Sequence, residues 1–137
     1  MTASGEAFGL VILGGGPGGY VAALRAAQLG ARVALVEKAR VGGTCLYIGC
    51  IPIKALLASA EFYRDARVKS AALGVDISNV VVNWVRMEQR KQNAVDQLVR
   101  GVEQLLSAKK VTLIHGEGRL LSPCRLQVLS ASAISLV

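Results

Sequence analysis

Two cysteines and a cluster of glycines are the residues whose types and spacing could carry chemistry. Cys45 and Cys50 are five positions apart, with Gly49 between them and Pro52 shortly after. In a straight α-helix, residues five apart are separated by about 7.5 Å of rise, which exceeds the usual Cα separation of a disulfide. A bond between the two cysteines therefore requires a distorted helix start, which glycine and proline favour.

Chemistry alone leaves three interpretations of this cysteine pair. A helix N-terminus favours thiolates, which suits a redox-active pair in a reducing compartment. A closed zinc site is disfavoured, because two cysteines with a single histidine elsewhere, His115, supply too few ligands. Two unrelated reduced thiols are the third interpretation. The spacing of the cysteines does not decide between a redox-active pair and two unrelated thiols.

The glycine segment Gly14–Gly19 fits the pattern GxGxxG. Gly14 permits a tight turn, Gly16 lets the backbone approach a pyrophosphate, and Gly19 allows close packing of the following helix on a sheet. Glu37 closes the second predicted strand, where a carboxylate accepts hydrogen bonds from a ribose diol and repels a 2′-phosphate. The segment therefore predicts a dinucleotide site that disfavours NADP. It does not separate FAD from NAD, because both contain the adenosine diphosphate that the motif binds.

The elements that must position these residues alternate between short apolar runs and helical patterns. Gly30 lies where a helix C′ glycine is expected, and Asn83 is a predicted N-cap. We predict strands over Phe8–Leu13, Arg32–Val36, Val111–His115, Arg119–Leu121 and Arg125–Leu129, and helices over Pro17–Leu29, Thr44–Arg67 and from Asn83 to Lys109. The last helix has an apolar face formed by Val95, Leu98, Val99, Val102, Leu105 and Leu106. The order predicts an α/β fold with a βαβ unit, a long helix and a small β-meander.

Composition favours one globular domain and excludes several function classes. The 137 residues are 53% hydrophobic and 18% charged, which is too apolar for disorder. The net charge of +7 is dispersed and accompanies no recognition motif, so no nucleic-acid partner is expected. The apolar run Ala7–Leu13 is too short for a membrane span and follows Glu6, so neither a signal peptide nor a transmembrane helix is expected. The expected location is the cytoplasm, with no membrane partner.

The two chain ends suggest a processed or continuing polypeptide. Met1–Ala7 lacks the arginine-rich character of a transit peptide, although processing would remove one. Ser130–Val137 is apolar without a cap or stop signal. We expect the fold to continue beyond this sequence.

The stretch Val11–Leu57 resembles the N-terminus of the dihydrolipoamide dehydrogenases, a branch of the flavoprotein pyridine nucleotide-disulfide oxidoreductases. The similarity returns at His115–Gly118, so that it covers most of the chain but only the first third of a family member. The segments that carry it are Gly14–Tyr20, Ala26–Gly30, Val36–Lys38, Gly43–Cys45, Cys50–Pro52 and Lys54–Leu57.

The resemblance implies a Rossmann-like FAD-binding unit in which Cys45 and Cys50 form the redox disulfide. By matching position, Cys50 lies nearer the flavin, Cys45 exchanges with the dithiol substrate, and Lys54 lies near the flavin N5. Cofactor-binding residues implied by the match are Gly14, Gly16, Gly19, Glu37, Lys38, Gly43, Thr44, Cys45, Lys54 and Gly118. The implied reaction converts dihydrolipoamide and NAD to lipoamide and NADH, with a lipoyl domain of a 2-oxo acid dehydrogenase complex as partner and a homodimer as assembly.

Residues 1–137 are expected to be the N-terminal part of the FAD-binding domain, with the NAD-binding and dimer-interface domains absent. The chain alone is therefore expected to be inactive. Tyr47 and Ile53 depart from the Asn and Ser usual in the family, and both flank the cysteine pair. His115 is expected to be structural, and Cys124 a surface thiol. The alternatives are a non-catalytic truncated FAD-binding module and the N-terminal part of a glutathione or mercuric reductase-like enzyme.

Overall fold

The structure is a computed structural model that describes residues 5–129 and 134–136. Most of the chain-end segments discussed above lie outside these residues. The strands are β1 Leu10–Leu13, β2 Val33–Glu37, β3 Thr112–His115, β4 Glu117–Ser122, β5 Arg125–Leu129 and β6 Ile134–Leu136. The helices are α1 Pro17–Gln28, α2 Gly43–Tyr47, α3 Cys50–Val68 and α4 Trp84–Ala108, with a short 3-10 turn at Ala71–Leu73. The predicted α/β class is confirmed.

A three-stranded parallel sheet, in the order β1-β2-β3, forms the centre of the fold. All five residues of β2 are buried, as expected for a middle parallel strand covered on both faces. Helix α1 connects β1 to β2, and Gly30 adopts a φ of +88° just after it, as the predicted C′ glycine. The carboxyl ends of β1 and β2 therefore lie side by side at one edge of the sheet.

The second sheet is an antiparallel β-meander in the order β4-β5-β6. Strand β4 extends the predicted strand Arg119–Leu121 on both sides, and a turn at Pro123 and Cys124 connects it to β5. Val128 of β5 packs with Val36 of β2, which joins the meander to the parallel sheet. The meander thereby places its first residues beside the end of β3.

The predicted single helix Thr44–Arg67 is wrong, because the chain forms two helices separated at Ile48 and Gly49. Gly49 has φ −119° and ψ −107°, outside the helical region, and precedes α3 directly. A Cβ on Gly49 would lie 2.8 Å from the Thr44 carbonyl oxygen, so the two helices meet too closely for a side chain there. This break lies within the segment Gly42–Cys50, called the cysteine segment below, and separates Cys45 in α2 from Cys50 at the start of α3.

Helix α4 begins as predicted, since the Asn83 side chain accepts a hydrogen bond of 3.0 Å from the Arg86 backbone N–H. The buried face of α4 is narrower than predicted. Leu98 and Leu105 are 43% and 54% exposed, because they lie at the margins of the face that packs on the neighbouring helices. The residues that do pack into the core are Val95, Val99, Val102 and Leu106.

The helical stretch Gly43–Val68, 26 residues in all, is long and apolar enough to cross a membrane by length and composition. The expectation of no transmembrane helix stays a prediction, because length and composition alone do not show that this stretch crosses a membrane. Helices inside globular proteins meet the same criterion, and the break at Gly49 divides this stretch. The same stretch contains the cysteine pair.

Candidate functional site

The glycine loop between β1 and α1 is shaped by contacts that only glycine allows. Gly14 has a φ of +98°, and its N–H donates a 2.8 Å hydrogen bond to the Val36 carbonyl, which ties the loop to β2. A Cβ on Gly19 would lie 1.8 Å from the Gly14 carbonyl oxygen, so the helix approaches the loop at a distance that excludes any side chain. The geometry of the protein's own backbone therefore requires glycine at Gly14 and Gly19.

Gly16 differs, because a Cβ there would meet nothing within 4 Å and its φ of −67° suits any residue. No requirement of the described protein atoms explains a glycine at this position. Gly16 is also the N-cap of α1, and among the described residues no side chain caps the helix. The first-turn N–H groups and the positive end of the helix dipole are thus available to an anion such as a pyrophosphate.

Glu37 is the buried charged residue at the end of β2, with 9% of its surface exposed. Its Oε2 accepts a 2.7 Å hydrogen bond from the Gly15 N–H, and its Oε1 accepts a 2.8 Å hydrogen bond from the Ala39 N–H. Each oxygen is oriented by one backbone donor and keeps further acceptor capacity. This is the arrangement that a ribose diol needs from a fixed carboxylate.

A cavity of about 230 Å³ lies at the carboxyl ends of the parallel strands, where ligands bind in open α/β sheets. It brings together four of the predicted binding residues: Gly14, Glu37, Lys38 and Gly118. Sequence reasoning missed the other four lining residues, although two of them neighbour Gly118 in the motif at the end of β3. These are Leu13, Val36, Gly116 and Glu117.

Cys45 and Cys50 form a disulfide with their Cα atoms 4.8 Å apart. This separation lies within the normal range for a disulfide and follows from the break at Gly49. Cys45 lies in α2 and is half-buried, whereas Cys50 is the first residue of α3 and is exposed. The structure thus brings the two predicted catalytic residues together.

The cysteine segment adjoins the glycine loop directly. The Gly42 N–H donates a 2.7 Å hydrogen bond to the Gly15 carbonyl. Gly43 has a φ of +55°, and a Cβ there would lie 2.8 Å from the Gly16 Cα. One ligand could therefore extend from the glycine loop to the start of the cysteine segment, which is what an elongated dinucleotide with a redox ring requires.

The remaining predicted residues are Thr44, Lys54, His115 and Cys124. Thr44 is exposed in the first turn of α2, and Lys54 is exposed on α3. Because Lys54 is four residues after Cys50, both lie on the same face of α3. His115 is exposed, pairs with Glu37 in the sheet register and lies outside the cysteine segment, and its structural role stays a prediction. Cys124 is a free, exposed thiol in the β4–β5 turn, as predicted.

Arg40 is a charged residue near the site that sequence reasoning missed. It donates a 2.8 Å hydrogen bond to Asp96 of α4, and its guanidinium lies 5.1 Å from the centre of the Tyr47 ring. The hydrogen bond from Arg40 holds the pKa of the Asp96 carboxyl below its usual range, and a second bond from Gln92 acts in the same direction. Tyr47, a departure from the family pattern, therefore has a specific partner in this chain.

Fold and site define a class, the disulfide oxidoreductases built on a Rossmann-like sheet. The family model described as pyridine nucleotide-disulphide oxidoreductase matches residues 8–131, and the chain belongs to this family. The predicted resemblance is thereby confirmed.

Individual comparisons agree with the family. The dihydrolipoyl dehydrogenase of Bacillus subtilis strain 168 is 53% identical over 116 residues, which are 85% of this chain and 24% of that protein. The structure of LpdA from Mycobacterium tuberculosis superposes with a TM-score of 0.86 at 25% identity, covering 93% of this chain and 29% of that chain. The flavoprotein disulfide reductase RclA from Escherichia coli gives a TM-score of 0.79 at 28% identity, covering 96% and 26%. The chain spans about a quarter of the length of the curated relatives it matches.

Proposed function

We propose that this chain binds FAD and presents the Cys45–Cys50 disulfide to it as a reversible two-electron carrier. The observation that carries the proposal is the contact between the glycine loop and the cysteine segment, through Gly42 and Gly43. The family membership supports FAD over a bare nicotinamide cofactor. Glu37 would hold the ribose, Gly16 and the α1 N-terminus would hold the pyrophosphate, and the cavity at Gly118 would hold the adenosine end.

The two cysteines are proposed to have different roles, and the exposure of Cys50 supports one of them. Cys50 is exposed in the chain alone, as expected of a sulfur that faces a cofactor, and Lys54 on the same face of α3 would place a cation near the reduced ring. Cys45 would exchange with the substrate dithiol: one substrate thiolate would attack the Cys45 sulfur and release Cys50 as a thiolate. The second substrate thiolate would then attack the bound substrate sulfur and release Cys45, which leaves a substrate disulfide and two protein thiols. FAD, when bound, would accept the electron pair from the resulting dithiol and pass it to NAD.

We propose dihydrolipoamide as the dithiol and NAD as the final acceptor, so that dihydrolipoamide and NAD⁺ give lipoamide, NADH and a proton. The high identity to a dihydrolipoyl dehydrogenase supports this branch of the family over a glutathione or mercuric reductase. NAD would be bound by a part of the protein outside this sequence. The proposal extends to a lipoyl domain of a 2-oxo acid dehydrogenase complex as partner, to a homodimer, and to the cytoplasm as location.

A second candidate function is a non-catalytic FAD-binding module. It rests on the glycine loop and Glu37 alone, and it does not require the disulfide to open. A module would bind FAD without passing electrons to NAD. The two candidates share the FAD site and differ only in turnover.

A pair of glycine substitutions tests FAD binding, because both glycines have open space around the missing Cβ. Gly16→Ala adds a methyl group where the pyrophosphate is proposed to lie, and Gly101→Ala adds one on α4, far along the chain from the loop. Equilibrium dialysis should show at least a tenfold weaker FAD affinity for Gly16→Ala and an unchanged affinity for Gly101→Ala. Equal affinities of Gly16→Ala and the wild type would contradict the proposed site.

A further inference from the structure

Arg40 lies in the loop between β2 and α2, and it contacts both the cysteine segment and α4. Its Nη2 donates to Asp96 Oδ1 at 2.8 Å, and its guanidinium lies 5.1 Å from the Tyr47 ring centre. Its backbone carbonyl accepts a 3.3 Å hydrogen bond from the N–H of Gly43, the first residue of α2. The Asp96 carboxylate is itself held by a 3.1 Å hydrogen bond from Gln92. A single side chain thus joins α4 to the residue that follows Cys45 by two positions.

Helix α2 has only five residues, so it depends on contacts outside itself for its position. Leu46 is its buried residue and belongs to the main core cluster. Cys45 fixes the helix covalently to the start of α3 through the disulfide. When the disulfide opens, this covalent restraint is lost, and non-covalent contacts alone hold α2 in place.

We propose that Arg40 is a positioning residue that holds α2 against α4 through Tyr47, and so keeps Cys45 within reach of Cys50 when the pair is reduced. This inference rests on the proposed function, because it requires that the disulfide opens and closes. Asp96 serves as the anchor that orients the guanidinium. Tyr47, where the family pattern has Asn, supplies the aromatic face that the guanidinium needs.

The contact should shift the thiol–disulfide equilibrium toward the disulfide. In the wild type, α2 stays in place after reduction, so the two thiols remain at a high effective concentration for reclosure. Without the contact, the reduced α2 gains freedom that the oxidised α2 does not have. The dithiol is then favoured. The disulfide and the Arg40–Tyr47 contact therefore stabilise each other.

Exchange with glutathione measures this equilibrium in the full 137-residue chain. The Cys45–Cys50 bond breaks, two glutathione thiols lose two electrons and two protons to form one glutathione disulfide, and the protein gains two thiols. All variants are compared in a Cys124→Ser background, because the exposed Cys124 thiol would form mixed disulfides of its own. The ratio of oxidised to reduced protein is read by acid quenching, alkylation and mass spectrometry.

Two single substitutions each remove one partner of the contact between Arg40 and Tyr47. Arg40→Met and Tyr47→Leu should each shift the equilibrium constant about threefold toward the dithiol, the size expected for one partly exposed cation–π contact. The double variant should show the shift of one single variant, since each removes the same contact. Arg40→Lys, which keeps the charge beside Asp96 but loses the planar stacking, should lie between the wild type and Arg40→Met. Lys69→Met removes an ion pair to Asp65 in α3, away from the site, and should leave the equilibrium unchanged.

The outcomes separate this inference from the function on which it rests. A wild-type disulfide that does not exchange would overturn the proposed function. A wild type that exchanges, with Arg40→Met and Tyr47→Leu equal to it, would overturn the role of Arg40 alone. Additive shifts in the double variant would show that the two residues act separately, which also contradicts the inference. Circular dichroism of each oxidised variant identifies any variant that fails to fold, and Arg40→Lys then supplies the test.

Discussion

Two glycines of the Gly14–Gly19 motif should respond to alanine in different ways. A Cβ on Gly19 would lie 1.8 Å from the Gly14 carbonyl oxygen, so α1 must separate from the loop to accept it. A Cβ on Gly16 meets nothing within 4 Å, and its φ of −67° is ordinary. Gly19→Ala should therefore damage the apoprotein, whereas Gly16→Ala should damage only ligand binding.

The magnitudes follow from these distances. A clash between a methyl group and a backbone oxygen at less than 2 Å cannot be relieved by side-chain motion, and overpacking of this kind costs about 3 kcal/mol. For Gly16→Ala, the weaker N-cap preference of alanine costs about 1 kcal/mol, and the lower entropy of the unfolded chain offsets about the same amount. FAD affinity of Gly16→Ala should fall at least tenfold, which corresponds to about 1.4 kcal/mol.

Two assays separate the effects. Urea unfolding of the apoprotein gives the free energy of unfolding, and equilibrium dialysis with FAD gives the affinity. Gly101→Ala on α4 is the control, since its Cβ also enters open space and alanine favours the helix. The reasoning is refuted if Gly16→Ala unfolds the apoprotein as strongly as Gly19→Ala, or if Gly19→Ala leaves its free energy of unfolding unchanged.

Three further predictions concern the disulfide, acid stability and turnover. Cys45 and Cys50 should resist alkylation in the air-oxidised folded chain and react after mild reduction; two freely alkylated cysteines would contradict a reversible disulfide. The Asp96 carboxyl, with a folded pKa below its ordinary 3.8, stabilises the fold above that value, and the stabilisation is lost as the pH falls through the folded pKa. Asp96→Asn should therefore lessen the loss of unfolding free energy as the pH falls below about 4, measured by urea unfolding, and an unchanged pH dependence would exclude this contribution. The 137-residue chain with excess FAD should show no NADH formation from dihydrolipoamide and NAD above a Cys50→Ser control, because no described residue is assigned to NAD.

Local sequence patterns predicted the helices and strands whose defining residues lie within a few positions of each other. The apolar run before Gly14, the helix-forming segment after Pro17 and the N-cap Asn83 each depend on neighbouring residues alone. The glycine motif and Glu37 could be placed together because a βαβ unit brings the ends of consecutive parallel strands to one edge. The carboxylate that closes β2 therefore had to lie beside the loop that follows β1.

Features that depend on distant partners were missed. Gly49 and Pro52 indicated a distorted helix start, but periodicity does not locate the full break at Gly49, which is set by the close approach of two helices. The pair Arg40–Asp96 joins residues 56 positions apart, so no local signal indicated it. Leu98 and Leu105 fit the helical period, but the extent of the neighbouring helices decides the width of the buried face.

The central claim is that electrons pass from a dithiol to FAD through the Cys45–Cys50 disulfide. The direct measurement is anaerobic addition of dihydrolipoamide to the FAD-loaded chain, followed by the loss of flavin absorbance over time. The account predicts rapid bleaching in the wild type and, in Cys50→Ser, a rate no faster than that of free FAD with the same dithiol. Equal bleaching rates in the wild type and Cys50→Ser would contradict it.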